Sequence, residues 1–588
     1  MARLSNNDMA ASFEEYADLL ELDGANSFRT RAYRNAAQTL QQTVESVAEV
    51  AITSPDKLTD YTGIGADLAK KIIQLAETGT FTQLLEMREK FPPGVIMMLR
   101  VPGLGPKKVA MLFTELKIDS IAALTAQAEA GLISQLKGFG KKTEQTILAG
   151  LRNFQSTEQR LYLADIEPLA QHILDQLKQV KGVTNGAIAG SARRGKETVG
   201  DLDLLITTDN SKPVMDRLAE LPDVAEVLAR GETKMRVRLK PIINCYTPGG
   251  NRIAIEMDLR VVPHDSFGAA MQYFTGSKEH NVVLRQKAKE HGWSLNEYGL
   301  TAGEKVIASK TEQEIYQALG VPLIPPELRE NRYEWDYLTD KDIPKLIEVT
   351  DIKGDLHMHT TATDGAGTIA EMIEGAISRG LEYIAITDHS KRVQIARGLD
   401  ADRLRAHWDD IRKVSSKYKE IKVLCGVECD ILENAEMDLD DQVLAEADWV
   451  IAVLHFGLSQ PQDVIMQRLM HAIQHPSVDA VGHLTGRYIQ KRAGAEMDVP
   501  AILKAAKEHR VMLEINAHPA RLDMNDINAG LARSMGIPII IDTDAHHVNG
   551  FDVLPWGIRQ ARRAGLTAKD VANTRPWKEF QKLIRRHL

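Results

Sequence analysis

Cysteine is scarce in this 588-residue chain, with only Cys245, Cys425 and Cys429. Three thiols cannot build a disulfide framework, which excludes a disulfide-stapled secreted fold and suits a reducing cytosol. Long apolar runs are missing too. No stretch of 18 apolar residues occurs, so no membrane-spanning helix is expected. The first eight residues, MARLSNND, lack the apolar core of a signal peptide, so a cytoplasmic protein is expected. Nor is there a large excess of one charge: the net charge is −9, with 26% of residues charged. That excludes a wholly basic DNA-coating protein but leaves room for local basic patches.

What is present is length and unevenness. A chain of 588 residues exceeds what one hydrophobic core organises, so several domains are expected. Thirteen of the 17 histidines lie after residue 350, so the C-terminal part has a chemistry of its own.

Residues 1 to about 155 read as short helices broken at Gly63-Ile64-Gly65, Gly103-Leu104-Gly105 and Gly138-Phe139-Gly140. Each break precedes a helical pattern with a lysine pair: Lys70 and Lys71, Lys107 and Lys108, Lys141 and Lys142. The period is about 35–40 residues. Each unit resembles a helix–hairpin–helix motif, in which glycines allow a tight turn and the N–H groups of the next helix face a phosphate. The resemblance implies DNA-backbone binding at Gly63, Gly65, Gly103, Gly105, Lys107, Gly138 and Gly140 without base readout.

Residues 158 to about 262 alternate strand and helix patterns. Within them, Gly190-Ser191-Ala192-Arg193-Arg194-Gly195 leads into Gly200-Asp201-Leu202-Asp203-Leu204. A Gly-Ser turn offers backbone N–H groups and a hydroxyl to phosphate oxygens. Leu202, Leu204 and Ile206 alternate with period two, so Asp201 and Asp203 share one face of a strand. Two carboxylates beside a phosphate cradle suit a divalent-cation phosphoryl-transfer site. A third acid is offered by Ile253-Ala254-Ile255-Glu256-Met257-Asp258-Leu259-Arg260, where Glu256, Asp258 and Arg260 share one face and Ile253, Ile255, Met257 and Leu259 the other. The alternation leaves open whether Glu256 positions a cation or meets Arg260.

The glycine-serine turn, arginine pair and Asp-x-Asp resemble the active-site signature of family X DNA polymerases, a group of nucleotidyltransferases. The resemblance implies that Asp201, Asp203 and Asp258 are catalytic and hold Mg²⁺ or Mn²⁺. It implies that Ser191 and Arg194 bind the triphosphate and that Gly190 and Gly200 admit its close approach. Tyr273-Phe274-Thr275-Gly276-Ser277 is similar to the family's nucleotide-pocket motif, with Asn281 at the base edge and Arg285 at the template strand. Lys71, beside Tyr33, falls at the lyase position of eukaryotic relatives. Arg29 and Asp67 stand at two further basic positions of that pocket, so a positive charge is lost at Asp67. Lys71 is therefore either a Schiff-base nucleophile or a solvated helix lysine contacting DNA.

From Ile352 onward, seven short apolar runs alternate with helical patterns, which signals a parallel α/β sheet or barrel. His357, His359, Asp364, His389, Glu428, His455, His483, Asp544 and His546 mostly follow those runs, where barrel enzymes gather their site residues. Imidazole and carboxylate without thiolate suit Zn²⁺, Mn²⁺ or Fe²⁺. Cys425 and Cys429 flank Glu428 but lack a second pair, so they are expected to fill core space. Arg487 is either a phosphate binder or a surface arginine.

The segment resembles the PHP (polymerase and histidinol phosphatase) family, and every position of that family's nine-ligand set is filled. The resemblance implies a trinuclear site. One ion would use His357, His359, Glu428 and Asp544; a second Glu428, His455 and His483; a third Asp364, His389 and His546.

The expected architecture is multidomain: an all-α helix–hairpin–helix N-terminal region, an α/β nucleotidyltransferase palm with a thumb, and a C-terminal distorted (β/α)7 PHP barrel. The expected segments are 1–85 and 86–157 (both helical and DNA-binding), 158–262 (palm), 263–320 (thumb, mainly helical with turns), 321–350 (linker) and 351–588 (barrel). The implied function is gap filling in base excision repair on gapped or nicked DNA with dNTPs. The resemblance also implies a 3′–5′ exonuclease in the barrel, with an abasic-site endonuclease as a further option, and a monomer is expected. A purely structural barrel, a non-catalytic DNA-end-binding scaffold, and a small-molecule phosphatase fused to a nucleotidyltransferase remain as alternatives.

Overall fold

A computed structural model describes residues 6–43, 47–61, 63–99, 101, 104–136, 138–158, 160–243, 252–332, 334–335 and 343–584. Its contacts divide the chain into two compact units. One gathers Met1–Arg160 with Ile253–Ile255 and Val282–Glu290, and the other holds the remainder.

The N-terminal part of the first unit is built from short helices. Helix Ser27–Gln42 begins where the Asn26 side chain accepts the Phe28 N–H, satisfying one orphan donor of the first turn. Its core holds Phe13, Tyr16, Tyr33 and Phe81, whose rings lie 4.8–5.8 Å apart in stacked and edge-on pairs. The Gly-x-Gly breaks fall at helix starts: Gly65 precedes Ala66–Thr78, Gly105 precedes Pro106–Leu116, and Gly140 precedes Lys141–Glu158.

The second unit contains two sheets that position chemistry. The palm sheet has five strands in the order Asn185–Ile188, Asp201–Thr207, Glu256–Val262, Lys234–Leu239, Val224–Arg230. Asp201–Thr207 and Glu256–Val262 run parallel at its centre, with Asp201 opposite Glu256 and Asp203 opposite Asp258. The barrel sheet has seven strands in sequence order, all neighbours parallel, from Gly354–Asp355 to Ile539–Asp542. A parallel bridge between Met358 and Ala545 ties the first strand region to the last. Tyr383, Ala385, Trp449, Ile451 and Val453 share an inner cluster closed by Phe580, while Ile384, Ile386, Val450 and Ala452 belong to the outer core. Both strand faces are buried, which is why the sequence shows unbroken apolar runs here instead of alternation.

Helices Phe267–Thr275, Lys278–Glu290 and Glu312–Ala318 make residues 263–320 mainly helical, as expected, but the segment also holds a small sheet. An antiparallel three-stranded sheet, Ser294–Asn296, Gly299–Ala302 and Lys305–Ala308, lies between helices Lys278–Glu290 and Glu312–Ala318. The Asn296 side chain accepts the N–H groups of Tyr298 and Gly299, fixing a turn that period counting over so few residues does not reveal. The described residues of 321–350 include several that pack inward. Ile324, Leu328, Arg329 and Glu334 are buried, and Glu334 accepts a hydrogen bond or ion pair from His280 at 3.1 Å. Among the described residues, no helix is long and apolar enough to cross a membrane.

Candidate active sites

In the palm, the parallel register brings Asp203 and Asp258 side by side. Gly190 follows the neighbouring strand at φ +63°, and a Cβ there would stand 2.1 Å from Asp203 Oδ2. Glycine is thus required both by the backbone and by the carboxylate against it. Burial, then the charges of Asp201 and Asp258, push the Asp203 carboxyl up to about 7. Burial would raise Asp258 as well, but Arg236 outweighs it with two hydrogen bonds of 2.8 Å and holds the carboxyl below its ordinary value. Among the described residues, the three palm acids do not draw all their ligand atoms within 4.8 Å of one another. Glu256 meets Arg238 at 3.4 Å, while Arg260 lies over the Phe274 ring at 4.5 Å, so the two do not pair.

Both signature arginines are engaged. Arg193 donates to Thr275 Oγ1 at 2.6 Å and makes a two-pronged pair with Glu312, which Arg329 also contacts. Arg194 donates to the Thr275 carbonyl at 2.5 Å and to Glu330 at 3.0 Å. Tyr273 and Phe274 form an edge-on pair, and the Asn281 amide is oriented by Gln272 and the Tyr273 carbonyl. Arg285 lies four residues further along the same helix.

Burial opposes ionisation of Glu312, yet Arg329 and Arg193 hold its carboxyl down at about 2, against an ordinary 4.5. A depressed carboxyl contributes stability above its unfolded value and loses it as pH falls through the folded one. Glu312→Gln is therefore expected to cost about 3 kcal/mol at pH 7, with the gap to wild type closing between pH 4.5 and 2. Thermal melts across that range check this.

In the barrel, all nine predicted His, Asp and Glu residues gather at the C-terminal side of the strands. Ligand atoms within 4.8 Å of one another form four overlapping groups: His359, Asp364, His389 and His546; His357, Glu428 and His483; His357, His359 and Asp544; His389, Glu428 and His455. Glu428 is shared by two groups and lies 2.6–3.5 Å from five imidazoles. The group His357, His359 and Asp544 holds three of the four residues implied for the first ion, while His359 also joins Asp364, His389 and His546, and His483 joins His357 and Glu428. Two of the nine, His483 (φ +25°) and Asp544 (φ +55°), sit in left-handed backbone that ordinary side chains disfavour, a strain typical of functional positions.

The donor set fits divalent cations. His357 Nε2, both nitrogens of His359 and His483 Nδ1 are buried without a hydrogen-bond partner, and His389 Nδ1 faces Glu428 Oε2 at 2.6 Å. Buried polar atoms are rarely left so. Burial pushes His359 down to about 4 and His483 to about 3, which favours the neutral, ligating imidazole. Burial also lowers His389, but Glu428 and Asp364 outweigh it and raise the ring to about 10, where a cation would replace the proton. Cys425 and Cys429 are buried, their thiols pushed up to about 12 by desolvation, and neither joins a ligand group.

Comparison with known proteins follows this geometry segment by segment. Family models match as a helix-hairpin-helix domain (residues 5–81), a SAM-like helix-hairpin-helix tandem (95–153), a DNA polymerase beta palm (160–235), a DNA polymerase beta thumb (270–330) and a PHP domain (355–518). The DNA polymerase/3′-5′ exonuclease PolX of Bacillus subtilis (strain 168) is 37% identical over 586 residues, covering 99% of this chain and 100% of that protein. The chain belongs to the PolX family. Two partial relatives divide it. DNA polymerase lambda of Rattus norvegicus is 24% identical over 298 residues, 47% of this chain and 49% of that protein. A probable phosphatase of Thermoanaerobacter sp. (strain X514) is 30% identical over 233 residues, 37% of this chain and 89% of that protein.

Several residues around the two PolX sites escaped sequence reasoning. Glu514 lies 2.7 Å from His357 Nδ1, and Asp430 lies 3.0 Å from His455 Nδ1. A carboxylate on the far nitrogen fixes the tautomer and orientation of a ligating imidazole. Glu514→Gln is expected to weaken cation retention about 10- to 100-fold, measured by chelator competition. Both acids sit in strands, so only three-dimensional pairing distinguishes them from core polar residues. Arg487 is neither a free phosphate binder nor a surface arginine. It pairs with Glu197 of the palm turn, donates to the Arg521 and Leu522 carbonyls, and is joined there by Gln560.

In the N-terminal unit, the residue between each glycine pair is buried while Gly63, Gly65, Gly105, Gly138 and Gly140 are exposed. A Cβ on any of these five would meet nothing closer than 3.9 Å, so the backbone is open to approach. Lys70, Lys107, Lys141 and Lys142 are exposed beside them. Gly103 lies outside the described residues. Lys71 is not solvated: it is 7% exposed, pairs with Asp67 at 2.7 Å, and lines a cavity of about 330 Å³ with Arg29 and Tyr33.

Proposed function

We propose that the chain is a DNA-directed DNA polymerase that fills short gaps during base excision repair and trims 3′ ends at a separate hydrolytic site in the barrel. Two donor sets in one chain carry this reading: palm carboxylates beside a glycine-serine turn, and nine His, Asp and Glu side chains at the strand ends of a barrel. Asp201, Asp203 and Asp258 would hold Mg²⁺ or Mn²⁺. The barrel set would hold up to three Zn²⁺, Mn²⁺ or Fe²⁺ ions. When bound, these cations supply Lewis acidity and lower the pKa of an attacking hydroxyl or water.

In the palm, the primer 3′-oxygen attacks the α-phosphorus of a dNTP, the bond to the β-phosphate oxygen breaks, and pyrophosphate leaves. Gly190, Ser191 and Gly200 admit the triphosphate at close range. Arg194 turns from Glu330 toward it, exchanging one carboxylate for phosphate oxygens. Tyr273, Phe274 and Gly276 shape the sugar pocket, Asn281 meets the base edge, and Arg285 the template. The exposed hairpin glycines and lysines hold the DNA backbone. We place the enzyme in the cytoplasm as a monomer.

The probable-phosphatase relative favours a second reading for the barrel alone, hydrolysis of a small phosphomonoester. Purified protein with Mn²⁺ and a 5′-labelled primer bordering a one-nucleotide gap decides between them. Extension with dNTPs and shortening without them is the expected result. Extension without shortening, combined with release of phosphate from a monoester, selects the second reading; neither activity on DNA overturns both halves.

A further inference from the structure

A cavity of about 400 Å³ opens beside the barrel ligands Asp544 and His546, walled by Tyr488, His518, Arg521 and Asn549. The polymerase and nuclease signatures name none of these four. Arg521 is the notable member. Its side chain is 17% exposed, and its guanidinium lies over the Tyr488 ring, 5.7 Å from the centroid. Among the described residues, its guanidinium donates no hydrogen bond, and the nearest carboxylate is Asp544, with Oδ2 3.9 Å from Nε. Arg487, by contrast, donates to a carboxylate and two carbonyls. A planar fork of five donors, held beside an aromatic ring at the edge of the His and Asp cluster without protein hydrogen-bond acceptors, matches a phosphate group in shape and charge. The Ala520 N–H donates to His518 Nδ1 at 3.3 Å, which orients that ring in the cavity wall. The volume lies near the lower end of small-ligand pockets, room for about one nucleotide and not for a duplex.

We propose that Arg521 binds the scissile phosphodiester of a DNA 3′ end and that this cavity receives the terminal nucleotide. The proposal rests on the exonuclease reading of the barrel. In the step it serves, water adds to phosphorus and the bond to the upstream 3′-oxygen breaks. That oxygen takes up a proton, leaving a new 3′-hydroxyl and a nucleoside 5′-monophosphate. Arg521 stays on the phosphate throughout, so the released monophosphate is also a ligand of the cavity.

The test uses full-length protein loaded with Mn²⁺, as wild type, Arg521→Lys, Arg521→Met and His389→Ala. Three quantities are measured: digestion of a 5′-labelled single strand, equilibrium binding of dAMP, and bound manganese. Arg521→Met is expected to lower kcat/KM about 10- to 100-fold, chiefly through KM, and to weaken dAMP binding by a similar factor. Arg521→Lys is expected to fall between. Manganese content and gap extension stay at wild-type levels. Unchanged KM and dAMP affinity in Arg521→Met overturn the proposal. So does a loss that follows loss of manganese and is restored by excess Mn²⁺, because Arg521 then serves the cation shell. If His389→Ala digests DNA as fast as wild type, the exonuclease reading fails instead. dAMP binding then judges Arg521 alone: weaker binding in Arg521→Met keeps the phosphate site, and equal binding removes it.

Discussion

Asp203→Asn extends a gapped primer at least about 10³-fold more slowly than wild type, while DNA binding and 3′-end trimming are kept. The magnitude follows from losing one shared carboxylate of a two-cation site, several kcal/mol of charge stabilisation at about 1.4 kcal/mol per tenfold. Asparagine preserves the shape that packs against Gly190, so the loss is of charge and not of fold. Stability moves the other way. The carboxyl is raised from 3.8 to about 7, so the stability its protonated form contributes is full below 3.8 and disappears as pH rises through 7. A neutral amide does not titrate, and the variant is expected to melt no lower than wild type at pH 8. Single-nucleotide extension and a thermal melt at pH 8 check both parts. Extension within tenfold of wild type removes Asp203 from the catalytic set.

Glu428→Gln has the matching effect on the barrel. Its two oxygens lie within 3.5 Å of His357, His359, His389, His455 and His483, and among the described residues it is the one acid shared by two ligand groups. Burial opposes its charge, but the surrounding histidines hold it well below the ordinary carboxyl range, so the charged form is the resident one. Glutamine retains the volume and removes the negative charge that cations need. Trimming is expected to fall about 10³-fold or more, with a loss of bound cations seen by metal analysis and no change in gap filling. Trimming at the wild-type rate with fewer bound cations would leave the cluster a structural role and move the nuclease elsewhere.

Glu197 connects the two sites physically. It lies between Arg194 and Asp201 in the palm turn and is held by Arg487 and Gln560 of the barrel. Arg563 of the barrel also donates to the Arg194 carbonyl at 2.8 Å and to Glu330 at 3.1 Å. The barrel thus braces the turn on which the triphosphate would rest, although the two metal-ligand sets share no residue.

The sequence alone determined whatever depends on short spacing. Asp201 and Asp203 share a face because strand side chains alternate with period two. Histidines and acids at the ends of seven apolar runs converge because a parallel barrel gathers strand ends on one side. The exposed glycines around buried Ile64, Leu104 and Phe139 likewise follow from a local turn. Only the tertiary structure decided which long-range partners meet. Arg236 on Asp258, Glu514 on His357, Asp430 on His455, and Arg487 on Glu197 are pairings across tens to hundreds of residues. No local periodicity encodes them. A charged side chain reads the same in sequence whether it is solvated, buried against a partner or turned toward a substrate. Arg487 and Arg521 show the difference: two arginines near the same site, one spent on protein acceptors and one left facing the cavity, separated only by how the chain packs.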